Sequence, residues 1–244
     1  ATLRRQRQMC IRDRFLIENE FKVIEIESFE IQNLKEQLKD VDGILLRTTK
    51  LDKEILEHCD NLKIISRHGV GYDNVDLDFL NENKIALCIT STSNAVSVAE
   101  HVLSFFIYLT KKLSLSDSLV KEGNFEKRSE LPNFFELYKK KVLIIGFGRI
   151  GKEVAKRCLG FDMEVYVYDP FLDNEIIIRN QCIPIEKNQG LAIADFITIH
   201  LPLNRDTKNF ISQTELNLMR KNSILVNTSR GGCLLYTSDA ADEE

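Results

Sequence analysis

The hexad Gly146-Phe147-Gly148-Arg149-Ile150-Gly151 constrains this chain more than any other stretch, because of its flanks. The apolar run KVLII leads straight into it, and KEVAKRCL, which reads as a helix, follows. Between a strand and a helix, the first glycine allows a tight turn and the second lets the backbone approach a pyrophosphate. The third lets helix and strand pack closely. The helix start adds free N–H groups and a positive dipole end, both suited to phosphate. Asp169 closes the next strand-like run, EVYVY, and Pro170 and Phe171 follow it with no adjacent Arg or Lys. A carboxylate there can accept hydrogen bonds from the adenosine ribose hydroxyls and would repel a 2′-phosphate. The expected ligand is NAD rather than NADP. The bland alternative is a glycine turn in a fold that binds nothing.

The rest of the chain alternates in the same manner. Residues 21–26 (FKVIEI) read as a strand, 32–39 as a short helix and 41–46 (VDGILL) as a strand tipped by Arg47. Residues 51–59 read as a helix and 62–66 (LKIIS) as a strand. The glycine loop 67–72 (RHGVGY) comes next, then a helix at 77–83 and a strand at 86–90. A long apolar helix covers 97–112, and 122–132 is polar and irregular. Strands follow at 141–146, 164–168, 196–200 and 223–227, with a helix at 152–159. Strand–helix alternation is the signature of a parallel sheet covered by helices. The fold class expected from this alternation is α/β, with a domain junction near Ser93.

Composition sets outer limits. Hydrophobic residues are 43% and charged residues 29%, ordinary for a globular chain, and the formal charge is −4. That balance gives no support for a nucleic-acid or anionic-membrane partner, and no apolar run is long enough to span a bilayer. The six cysteines form no CxxC and have no metal-like spacing with His. Reduced thiols, no metal and a cytoplasmic setting are expected.

The two ends read as foreign. Residues 4–13 (RRQRQMCIRD) and 233–243 (CLLYTSDAADE) can be encoded by one DNA sequence read on opposite strands. That sequence resembles a transposase-type sequencing adapter. Residues 1–14 and 233–244 are therefore expected to be adapter-like and are set aside from fold reasoning.

Five segments then carry a resemblance: SRHGVGYDNVD (66–76), NAVSVAEHVL (94–103), IIGFGRIG (144–151), FITIHLPL (196–203) and LVNTSRGG (225–232). In this order they resemble the D-2-hydroxyacid dehydrogenases, phosphoglycerate dehydrogenase included. The resemblance implies a partial flavodoxin-like substrate domain at 15–93 and a partial, doubly wound Rossmann NAD domain at 94–232. It also implies hydride transfer between NAD and C2 of a D-2-hydroxy or 2-oxo acid, with 3-phosphoglycerate, hydroxypyruvate and glyoxylate as candidate substrates. It implies that the N–H groups of Gly69, Val70 and Gly71 hold the substrate carboxylate. Arg149 and Ile150 would lie against the pyrophosphate, and Leu201, Pro202, Thr207, Thr228 and Ser229 would line the cofactor. Arg230 matches the catalytic arginine. A guanidinium there can pair with a 2-oxo acid's carboxylate and polarise its carbonyl, or it can be an ordinary surface ion pair. Arg47 and Arg67 match substrate-side positions and could equally be ordinary exposed arginines. Asn94 would orient this wall or simply cap a helix. A homodimer through the nucleotide domain is the implied assembly.

One departure stands out. The family's acid/base histidine and its glutamate come after the segment matching 225–232, where the adapter-like tail begins. His58, His68, His101 and His200 are the histidines present, and none is expected to replace it. The chain as given is expected to be inactive. Two other readings stay open: a formate- or phosphite-type dehydrogenase on the same scaffold, and a non-catalytic NAD-sensing, corepressor-like binding protein.

Overall fold

The computed structural model describes residues 14–26, 28–90 and 94–235. The chain divides into two compact units. One takes the residues through His68 together with Asn74–Ile89, and the other takes Gly69–Asp73 and the chain from Thr90 onward.

The first unit contains helix α1 (Ile31–Gln37), strand β1 (Gly43–Leu46), helix α2 (Lys53–Leu56), β2 (Ile64–Arg67), α3 (Leu77–Glu82) and β3 (Ala86–Ile89). The strands form a parallel sheet in the order β1-β2-β3, with Leu46 paired to Arg67 and Arg67 to Ile89. Alternation along β1 buries Ile44 and Leu46 and leaves Leu45 exposed, as a pleated strand with one packed face requires. Leu34, Ile55, Leu56, Ile65 and Leu80 complete that core. Asp76 caps α3 by accepting from Phe79 N–H at 3.0 Å. The strand expected at 21–26 does not form. Phe21 and Ile24 are at least half exposed, and among the described residues no strand pairs with this segment, so its alternation has no ladder to join.

The second unit begins with α4 (Ala95–Thr110) and a helix the sequence reading missed, α5 (Leu113–Lys121), followed by a 3₁₀ turn at Phe125–Glu130. Then come β4 (Lys141–Ile145), α6 (Arg149–Gly160), β5 (Glu164–Tyr168), α7 (Asn174–Arg179) and β6 (Ile183–Pro184). The unit closes with α8 (Lys187–Ile193), β7 (Phe196–Ile199), α9 (Gln213–Leu218) and β8 (Ile224–Asn227). The five strands are parallel in the order β6-β5-β4-β7-β8. That is the doubly wound Rossmann order, in which the chain adds strands on one side of β4 and then, from β7, on the other. The central strand shows why. Val142 and Ile144 pack into one layer with Ala99, Phe106 and Val154, while Leu143 and Ile145 pack into the opposite layer with Leu191 and Ile211. A strand covered on both faces has no polar side, which explains the unbroken apolar run in β4.

In α6 the buried residues Gly151, Val154, Ala155 and Cys158 repeat at helical spacing and form the stripe that meets the sheet. Of the tail set aside on sequence grounds, residues 233–235 are described: Cys233 is fully buried and Leu234 bridges Ile211.

Candidate functional site

The site sits at the carboxyl ends of β4, β5, β7 and β8, where ligands bind in open α/β sheets. Gly146 leaves β4 with φ +91, a conformation that favours glycine. A Cβ at this position would lie 2.8 Å from the His200 carbonyl oxygen. Gly151 is closed to any side chain, because its Cβ would collide with the Gly146 carbonyl oxygen. Gly148 differs from both. Its backbone is extended (φ −71), and nothing lies within 4 Å of where a Cβ would stand. Space is thus kept clear over Gly148 on the outside of the loop.

The first backbone bond of α6 runs from Lys152 N–H to Gly148 O at 3.0 Å, which leaves the amides of Arg149, Ile150 and Gly151 unpaired among the described residues. Arg149 is exposed on this turn and Ile150 is half-buried. Free amides, a helix dipole and an open approach over Gly148 make a cradle that suits a pyrophosphate.

Asp169 does more than close β5. Its Oδ2 accepts from Phe147 N–H at 2.8 Å, and its Oδ1 accepts from Phe171 N–H at 3.0 Å. One carboxylate therefore ties the glycine loop to the turn after β5, and each oxygen keeps lone-pair capacity for a further donor. The sequence foresaw the acid but not its grip on the loop.

On the other side of the switch point, His200 follows β7. Burial pushes it down to about 4, so it stays neutral, and its Nε2 lies 3.0 Å from Thr198 Oγ1. His200 Nδ1 and Thr228 Oγ1 are buried and have no hydrogen-bond partner among the described residues. Such atoms call for a polar ligand group, and they fit the edges of a bound dinucleotide. Leu201 is half-buried and Pro202 exposed. Thr207 is buried, and its hydroxyl donates to Pro202 O and accepts from Asn204 N–H at 2.8 Å. Its side chain holds the loop after β7 in shape.

Beyond β8, Asn227 acts as a clamp. Its Oδ1 accepts from Ser229 N–H at 3.0 Å and from Ser229 Oγ at 2.7 Å, and its Nδ2 donates to Arg230 O at 2.8 Å. Arg230 in turn sends Nη1 to Ser229 O at 2.9 Å and Nε to Asp73 Oδ1 at 2.8 Å. The guanidinium lies against Gly71, where an added Cβ would overlap Nη2. Gly69 (φ 149) opens this loop and accepts from Thr90 N–H through its carbonyl at 3.1 Å, and Val70 is half-buried beside it. Within the second unit the structure thus brings Gly71 and Arg230 together. Asp73 and Asn227, which sequence reasoning passed over, hold them there.

The remaining expected residues are placed as follows. Asn94 stands at the N-cap position of α4, yet its side chain makes no cap bond, and its Oδ1 is buried without a partner among the described residues. In the first unit, Arg47 is exposed just after β1, and Arg67 ends the adjacent β2, donating through Nη1 to His68 O at 3.3 Å. Both arginines stand at the carboxyl edge of that sheet. His58 is exposed just after α2, and the His101 ring lies 4.3 Å from that of Phe105 along α4, tilted by 59°. Among the described residues no group of three or more His, Cys, Asp or Glu could hold a metal, and no helix is long and apolar enough to cross a membrane.

Residues 103–236 match the family model "D-isomer specific 2-hydroxyacid dehydrogenase, NAD binding domain". A D-3-phosphoglycerate dehydrogenase of Methanocaldococcus jannaschii is 33% identical over 205 residues, which is 83% of this chain and 39% of that protein. A hydroxypyruvate reductase of Thermotoga maritima is 33% identical over 210 residues, 85% of this chain and 67% of that protein. Among solved structures, D-lactate dehydrogenase from Aquifex aeolicus, complexed with NAD and lactic acid, superposes with a TM-score of 0.77 at 31% identity. That match covers 82% of this chain and 60% of the other. The chain spans between 39% and 41% of the length of three D-3-phosphoglycerate dehydrogenases that it matches.

Proposed function

The chain belongs to the D-isomer specific 2-hydroxyacid dehydrogenase family, and we propose that it carries the NAD-binding and carboxylate-holding part of an oxidoreductase acting on a small 2-hydroxy or 2-oxo acid. The observation that carries this reading is one sheet edge holding both an open glycine cradle at Gly148 and a fixed arginine at Arg230. When bound, NAD supplies a hydride acceptor at its nicotinamide ring, and its reduced form supplies the hydride.

The protein's own residues supply the rest. The amides of Arg149, Ile150 and Gly151 take the pyrophosphate, and Asp169 takes the adenosine ribose. Thr228, Ser229, Leu201 and Pro202 line the remainder of the cofactor site, with Thr207 shaping the loop from behind. The N–H groups of Gly69, Val70 and Gly71 and the guanidinium of Arg230 hold the carboxylate and draw charge toward the substrate oxygen. Asn94 orients this wall. Arg47 and Arg67, together at the edge of the first sheet, favour a substrate with a second anionic group, as in 3-phosphoglycerate.

We infer further that the protein is a cytoplasmic homodimer through the second unit. Support comes from the apolar side chains that α4 and α5 expose, including Phe105, Tyr108, Leu113 and Leu115. Sedimentation equilibrium tests it, and a monomer at micromolar concentration overturns it.

The test of the main reading is a binding series. NADH is titrated by its own fluorescence, which suits a chain without tryptophan, and NADPH is compared. The reading expects NADH to bind about tenfold tighter or better, the equivalent of one missing ribose interaction plus repulsion of the phosphate. Oxalate, a planar mimic of a 2-oxo acid, is then added to the NADH-saturated protein. Equal affinity for NADPH would remove the role given to Asp169, and absence of any NADH binding would remove the whole reading.

A further inference from the structure

Asp73 closes the loop Gly69–Asp73 and has no part in the cofactor and substrate contacts assigned so far. We propose that Asp73 is a positioning residue for Arg230, holding one edge of the guanidinium so that the other edge is presented to a substrate carboxylate. The inference rests on Arg230 being the carboxylate-binding group.

The geometry is specific. Arg230 has five N–H donors in a rigid plane. One, on Nε, goes to Asp73 Oδ1 at 2.8 Å, and one on Nη1 goes to Ser229 O at 2.9 Å. Nη2 has no hydrogen-bond partner among the described residues, so the Nη1–Nη2 side keeps donors for a bidentate grip. The backbone of Arg230 is pinned as well, by Asn227 Nδ2 on its carbonyl at 2.8 Å. Side chain and main chain are thus fixed from independent directions. Gly71 belongs to the same device. A Cβ there would overlap Nη2 and come within 2.9 Å of Asp73 Oδ1, so any other residue at this position would displace the guanidinium from where Asp73 holds it.

Two other tasks for Asp73 fit less well. As a stabilising ion pair it would contribute little, because both side chains are 35% exposed. As a competitor for the substrate it would be expected to grip the guanidinium in a two-point fork. Instead a single oxygen takes Nε from the side. What this contact can do is remove rotamer freedom from a long side chain before the ligand arrives, which lowers the cost of binding.

The experiment uses the ¹⁵N-labelled full chain saturated with NADH. The Arg230 Nε–H resonance is identified by its loss in Arg230→Lys. In the parent it should be resolved and slow to exchange; in Asp73→Ala it should collapse into the averaged signal of free arginines. Oxalate affinity should fall about tenfold or more in Asp73→Ala, as expected for a lost charge-assisted bond, while NADH affinity stays within about twofold. Asp73→Asn keeps an acceptor without the charge. It should retain the Nε–H resonance and lose only about threefold in oxalate affinity, and it carries the test if the alanine variant does not fold. An unchanged Nε–H signal in Asp73→Ala overturns the proposal. So does oxalate bound as tightly as by the parent, or more tightly, which would make Asp73 a competitor. Failure of the NADH-loaded parent to bind oxalate would strike the role given to Arg230 instead, and the Nε–H signal would still decide whether Asp73 fixes it.

Discussion

Gly148 offers a clean separation of cofactor binding from folding. Its φ of −71 and ψ of −158 are open to any residue, and a Cβ there meets no atom within 4 Å. Replacing it with alanine reduces the freedom of the unfolded chain, which stabilises by about 0.4–1 kcal/mol at a compatible position. Against this, Gly148 is the N-cap of α6, where alanine is the poorer residue by roughly 0.5–1 kcal/mol. The two nearly cancel, so Gly148→Ala should unfold within about 2 °C of the parent. Its methyl, however, occupies the space through which a pyrophosphate must reach the amides of Arg149 and Ile150. Losing one or two hydrogen bonds to a charged group costs about 1.5–3 kcal/mol, and NADH should bind roughly ten- to a hundredfold more weakly. Gly151→Ala is the contrast, because its Cβ meets the Gly146 carbonyl oxygen inside the fold. That variant should lose about 1–3 kcal/mol of stability before any cofactor is added. Thermal denaturation of the cofactor-free proteins and a fluorescence titration with NADH read the two effects separately. If Gly148→Ala bound NADH within threefold of the parent, the open space over Gly148 would not be the pyrophosphate path.

Other outcomes follow from the same contacts. Asp169→Asn replaces one of two acceptor oxygens by an NH₂ facing a backbone N–H, so about 1–2 kcal/mol of stability should go even without cofactor. An unchanged melting temperature would show that the tie to Phe147 does not hold the loop. His200 is depressed from 6.5 to about 4 by burial, so the native state resists protonation that the unfolded chain accepts. Stability should therefore decline as pH falls from about 6.5 to about 4, by at most about 3 kcal/mol, and His200→Asn should flatten that part of the denaturation profile. Glu215 provides a second window. Burial raises it, but hydrogen bonds from Lys187 and Ser212 outweigh burial and hold it at about 2 against 4.5. Its contribution should be complete only above pH 4.5 and be lost as pH falls from there through about 2, so urea titrations of Glu215→Gln should differ from the parent more at pH 6 than at pH 3.

How much of this was legible in the sequence depends on the range of each interaction. β4 and the glycine hexad announced themselves, because strand, turn and helix are contiguous and each glycine has a local reason. The strand β7 was legible too, since a strand buried on both faces reads as a mostly apolar run. Short helices were not. α7 and α8 span 6 and 7 residues, too few for a periodic pattern to stand out, and α7 shows in sequence only as Asp173 capping the run NEIIIR. Residues 21–26 failed in the opposite way: the alternation is present, but pairing needs a partner strand that no local pattern reveals.

The site divides along the same line. Asp169 can be read as a ribose acid from its place after β5, yet its bond to Phe147 N–H depends on the register that sets Ile145 beside Tyr168. Arg230 was reachable only through resemblance, because an arginine after an apolar strand is common on any surface. What turns it from a surface charge into a directed one is a pair of contacts of very different span. Asn227 lies three residues away, so a short polar turn after a strand could have suggested a clamp, although not which carbonyl it would hold. Asp73 lies 157 residues away, and no local rule connects it to Arg230. The chemistry-bearing residues are thus legible because their types are constrained by the reaction. The residues that aim them are not, because any acceptor brought to the right place by the fold would serve. The prediction at Asp73 is accordingly a test of the fold as much as of the site: the aspartate reaches Arg230 only because the second unit folds residues 69–73 against the turn after β8.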